Sequence, residues 1–134
     1  MLPVYKSKFS IVDYDPEDKL IIQTWTENSD MLCDESFLKE LSALTEALYG
    51  RKIDKLLVDQ RKFFYIVPDA VQEKIDKEIN LELYKKGIRK VAFVVSPDIF
   101  SKFSVLQTFD KDNSSKINAR FFEDYDKAVK WLNE

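Results

Sequence analysis

Histidine is absent from these 134 residues, cysteine occurs once and glycine twice. Without histidine the chain has neither the usual proton carrier near neutral pH nor the commonest metal ligand. Two isolated glycines, Gly50 and Gly87, cannot build a loop that wraps a phosphate. Cys33 has no partner in the chain, so an internal disulfide is excluded. The longest apolar runs, Phe63 to Val67 and Val91 to Val95, are five residues, far short of a membrane span. The opening Met1-Leu2-Pro3-Val4-Tyr5-Lys6 lacks the apolar centre of a signal peptide, so the cytoplasm is the expected compartment and the Asn113-Ser114-Ser115 sequon is expected to be silent. Twenty-one basic against 24 acidic residues leave a net charge of −3, which gives no general pull towards nucleic acid or anionic lipid.

What is present is the composition of a folded domain, with 45% hydrophobic and 13% aromatic residues. The length suits one domain spanning the whole chain, and low-hydrophobicity disorder is excluded. Tyr5 to Asp13 alternates aromatic and β-branched residues and reads as a strand; Asp15-Pro16-Glu17-Asp18 is a turn, and Lys19 to Thr26 is a second strand. A helix is predicted from Asp34 to Tyr49, because Phe37, Leu38, Leu41, Leu44, Ala47 and Leu48 recur at helical spacing. Asp34 is placed to cap its start and Gly50 to end it.

Lys55 to Asp59 reads as a buried strand, and Pro68 suits the first turn of a helix carrying Val71, Ile75 and Ile79 on one face. Arg89 to Val95 is the next strand, with Ala92 small enough for a helix to lie close. A third helix is expected from Pro97 to about Phe109, a polar loop over Lys111 to Ser115, and a last strand from Ile117 to Phe122. Asp124 then caps a helix whose Tyr125, Ala128, Val129 and Leu132 share a face. The order ββαβαβαβα predicts an α/β fold: one mixed sheet, an antiparallel N-terminal hairpin plus parallel strands, flanked by about four helices.

Several stretches carry a resemblance: Leu57-Val58-Asp59-Gln60-Arg61, Gly87-Ile88-Arg89-Lys90-Val91-Ala92, the hairpin with Trp25, and an acidic cap followed by Ala128-Val129-Lys130-Trp131-Leu132. Together they resemble the STAS-like family of small bacterial proteins, related to the anti-sigma-factor antagonists and similar in fold to lipid-binding domains of the CRAL-TRIO type. The resemblance implies a non-catalytic binding or regulatory domain. In the regulatory members a phosphorylatable serine or threonine follows the third strand. Here Gln60 to Asp69 contains neither, so a switch at that point would fall to Tyr65 or be missing.

A response-regulator receiver is a rival suggested by Ile11-Val12-Asp13 and Val58-Asp59. It requires a lysine closing the last strand, where this chain has Phe121-Phe122-Glu123-Asp124.

The candidate site residues gather after the strand ending at Asp59. Asp59 stands at the carboxyl end of a strand, where open α/β sheets bind ligands; its alternative is a carboxylate paired with Arg61. Phe63, Phe64, Tyr65 and Val67 would mark a partner surface or pocket wall if exposed, or plug the core if alternate residues turn inward. Lys85, Lys86, Arg89 and Lys90 around Gly87 read as a helix C-terminus complementing its dipole rather than a nucleic-acid patch. Cys33, beside Asp34 and Glu35, is expected to hold its proton. No cofactor or metal is implied, and no pair of carboxylates is singled out for catalysis. The expectation is binding to a protein partner or a second copy of the chain, with a carrier of a lipid or another small apolar or anionic ligand as the alternative and an enzyme using only carboxylates as the third. A carrier predicts an apolar cavity opening beside Val67, whereas a partner module predicts an exposed aromatic face without one.

Overall fold

Six strands lie in chain order in one sheet of the computed structural model. They are β1 (Leu2–Lys6), β2 (Ser10–Asp15), β3 (Leu20–Trp25), β4 (Lys55–Asp59), β5 (Lys90–Val94) and β6 (Asn118–Phe122). The structure describes residues 1–101 and 117–134. β1, β2 and β3 pair antiparallel, and β3 to β6 pair parallel.

The mixed α/β sheet is as the sequence predicts, with one difference at its edge. The segment Tyr5 to Asp13 is two strands, not one. The Ser7 hydroxyl oxygen accepts from the backbone N–H groups of Phe9 and Ser10 at 3.0 and 3.2 Å, and this local turn reverses the chain. The opening unit is therefore three antiparallel strands. The expected turn at Asp15 forms as read, its carboxylate accepting from the N–H of Glu17 at 3.1 Å.

Because side chains alternate across a strand, β3, β4 and β5 each feed two cores. Leu20, Ile22, Leu57, Ala92 and Val94 face the C-terminal helix (Tyr125–Leu132) and pack on its Ala128, Trp131 and Leu132. Asp124 caps that helix, accepting from the N–H groups of Asp126 and Lys127 at 2.8 and 3.2 Å. Ile21, Trp25, Leu56, Val58 and Val91 face the other way, towards helix α1 (Asp34–Ala47) and a helix running from residue 69 to 85. The latter is α-helical over Asp69–Lys74 and Asn80–Lys85 but π-helical over Ile75–Ile79. Further helix occupies residues 97–101. The remainder of the helix predicted to Phe109, the Lys111 to Ser115 loop and the sequon lie outside the described residues.

The start of α1 departs from expectation. Cys33, not Asp34, is the cap residue, and the Ser36 hydroxyl accepts from the Cys33 backbone N–H at 2.9 Å. Within α1, Glu40 is buried beside Leu41 and accepts hydrogen bonds from the hydroxyls of Tyr5, Ser7 and Ser10. A buried charge needs such partners, and these three bind α1 to the β1–β2 edge.

Candidate functional site

The parallel register sets Gln23, Val58, Phe93 and Phe121 in one row across the sheet, all facing the side of α1. Phe93 and Phe121 stack at 5.2 Å. Above this row the helix over 69–85 and α1 do not close down completely. A cavity of about 660 Å³ remains between them and the sheet. Its described lining is mainly apolar, from Trp25, Phe37, Leu44, Val58, Ile79 and Phe93 among others. The π turn supplies Ile75, Asp76 and Ile79 to the lining, and such turns recur at functional sites.

Residues 60–67 form one wall, and their alternation decides what each does. Phe63, Tyr65 and Val67 turn inward onto the cavity. Phe64 and Ile66 are exposed, at 56% and 89%, and Ile66 also borders the cavity. The inward rings join an aromatic cluster: Trp25 lies 4.9 Å from Phe63, and Phe37 lies 4.9 Å from Tyr65. Buried Ser29, in the turn Glu27–Met31, fixes this register. Its hydroxyl donates to the Lys62 carbonyl at 2.9 Å and accepts from the Phe64 N–H at 2.8 Å. The Tyr65 hydroxyl donates to the Asp34 carboxylate. Burial, then that bond and the carboxylate's charge, push the Tyr65 pKa up to about 12.

Asp59 does not belong to this cavity. It shares parity with Leu57, so it faces the side of the C-terminal helix. There it is locked by Arg61, whose Nε donates to Oδ1 at 3.0 Å and whose Nη2 donates to Oδ2 at 2.7 Å. The guanidinium lies 5.8 Å from the centre of the Tyr125 ring. The six residues grouped by the sequence thus divide: Asp59 and Arg61 on one face, Phe63, Tyr65 and Val67 in the cavity, Phe64 on the surface.

The site residue that the sequence reading missed is Gln23. It is 1% exposed, lines the cavity, and its Nε2 has no hydrogen-bond partner among the described residues. Its burial was legible, since it shares a strand face with Ile21 and Trp25. The unmet amide was not.

The sequence profile of the SpoIIAA-like family matches residues 25–133. The chain belongs to that family. SpoIIAA-like domains are binding and regulatory units, generally without enzymatic activity, and they typically engage protein partners. No curated protein and no solved structure matches the chain. No described helix is long and apolar enough to cross a membrane.

Two further expectations resolve differently within this SpoIIAA-like frame. The basic cluster is engaged locally: Arg89 Nη1 donates to the Tyr84 carbonyl at 2.9 Å, and Lys90 Nζ donates to the Trp131 carbonyl at 3.1 Å. Both bonds satisfy carbonyls at helix C-terminal ends, as the dipole argument predicts. Cys33 runs against expectation, because its pKa is lowered. The Ser36 hydroxyl, 3.3 Å from Sγ, outweighs the opposing charge of Glu35.

Proposed function

We propose that this SpoIIAA-like chain is a non-catalytic binding domain that holds a small, mostly apolar molecule in the cavity beneath residues 60–67. The cavity itself carries the reading. At about 660 Å³ it falls within the range of ligand pockets, roughly 300–1,000 Å³. Its position beside Val67 is the one that separates a carrier from a pure partner module.

The lining also bears on ligand charge. Asp76 is the charged residue among its described members, so among the described residues an anionic occupant meets a carboxylate and no cation.

A protein partner is the second reading, favoured by Phe64 and Ile66. Their exposed side chains border a smaller hollow of about 300 Å³ with Val95 and Ile99. The two readings are compatible, since the two hollows share Phe63, Tyr65 and Ile66 while Phe64 borders only the smaller one.

Native mass spectrometry of the chain, purified from its own host without organic solvent, tests the first reading. Extra mass that disappears on denaturation supports a held molecule. A bare chain, or a mass matching a second protein, transfers support to the partner reading.

A further inference from the structure

Gln23 sits on β3, near the middle of the sheet, where Val12 and Val58 flank it in register. Along its own strand the neighbours on the same face are Ile21 and Trp25. An amide offers two N–H donors, and burying one unmet in apolar surroundings is unfavourable unless something bonds to it. Nearly all buried polar groups in folded proteins find a partner, so the exception calls for an explanation. Gln23 is among the residues that line the cavity, and the described residues provide its buried Nε2 with no partner.

Three features of the lining then narrow the occupant. The body of the cavity is apolar, from Trp25, Leu44, Val58 and Phe93. The unmet group, placed among them, is a hydrogen-bond donor, so it calls for an acceptor. The charged residue of the described lining is acidic, so a full negative charge on that acceptor is opposed.

Resting on the small-molecule reading above, we propose that Gln23 is the polar recognition point of the cavity and that it selects neutral, carbonyl-bearing apolar molecules. Its Nε2–H donates to the ligand's ketone, ester or amide oxygen, while the surrounding rings and branched chains take the hydrocarbon part. The amide thereby confers selectivity among molecules of equal size, which apolar walls alone distinguish poorly.

Three probes of matched chain length test this: methyl heptyl ketone, nonane and nonanoate. Each is titrated into the full chain by calorimetry at neutral pH. The wild type is expected to bind the ketone roughly tenfold more tightly than the alkane, as one hydrogen bond to an otherwise unmet donor allows, and more tightly than the carboxylate. Gln23→Met should bind ketone and alkane equally, with alkane binding no weaker than in the wild type. Gln23→Leu repeats the removal with a branched side chain, and circular dichroism holds both variants to the wild-type fold. Equal binding of ketone and alkane by the wild type overturns the role of Gln23 and leaves the small-molecule reading standing. A ketone preference that survives in both variants does the same. Tightest binding of nonanoate overturns the neutral class. Failure of all three probes to bind the wild type overturns the small-molecule reading together with this inference.

Discussion

The two faces of the sheet are made by the same strands with similar residues, yet they are finished differently. On the face of the C-terminal helix, Leu20, Ile22, Leu57, Ala92 and Val94 meet Ala128, Trp131 and Leu132, and all eight are buried. On the opposite face, Leu56, Val58 and Val91 are buried in the same way, but Ile75, Ile79, Phe93 and Phe121 are left half-buried around a space of about 660 Å³. Apolar composition does not distinguish the two faces. The difference lies in fit. A helix starting at a capped Asp124 lies close over Ala92, while a helix interrupted by a π turn stands off the row ending in Phe121. The closed face carries stability, and the open one leaves room for binding.

The largest test of that contrast is a pair of truncations compared by urea denaturation. Leu57→Ala removes a fully enclosed side chain and is expected to cost about 3 kcal/mol, through lost transfer energy and a new cavity. Ile79→Ala trims a side chain that already borders open space, so about 1 kcal/mol is expected. Equal losses would erase the distinction between the faces. Glu40→Ala strands the hydroxyls of Tyr5, Ser7 and Ser10 and is expected to cost about 2–4 kcal/mol by the same assay. Glu40→Gln, which keeps an acceptor, should lose less.

A smaller effect is expected from Ser29→Ala, about 1–2 kcal/mol, because two hydrogen bonds to residues 62 and 64 are lost. Hydrogen exchange should rise at Phe64 N–H, with little change on the C-terminal helix. The smallest effect is confined to alkaline solution. The folded pKa of Tyr65 is raised to about 12 from 10, so the folded protein holds the phenol proton more firmly. Its contribution is complete below pH 10 and is lost as pH rises towards about 12. Tyr65→Phe should flatten part of the alkaline decline in the denaturation midpoint. Tyr5 and Tyr125, whose pKa values are also raised, would retain the rest.

Much of the fold was legible because periodicity reports burial. Phe37, Leu41 and Leu44 mark α1, and the β-favouring run from Lys19 to Thr26 marks the central strand β3. The split of Tyr5 to Asp13 was not legible, since its turn rests on a serine hydroxyl and needs neither glycine nor proline. The candidate site was partly legible. Phe63, Tyr65 and Val67 were named, but proximity in sequence grouped them with Asp59, which strand parity sends to the opposite face. Gln23 was hidden for a different reason. A strand pattern shows that a position is buried, whereas whether its amide finds a partner depends on helices distant in sequence.

The chain has two tryptophans, one on each face: Trp25 lines the cavity and Trp131 closes the opposite core. The most direct measurement is therefore a fluorescence titration of Trp131→Phe and Trp25→Phe with methyl heptyl ketone. A saturable change in emission is predicted for Trp131→Phe, which keeps only the cavity reporter, and none for Trp25→Phe. A saturable change in Trp25→Phe with none in Trp131→Phe would place binding on the closed face and contradict the account.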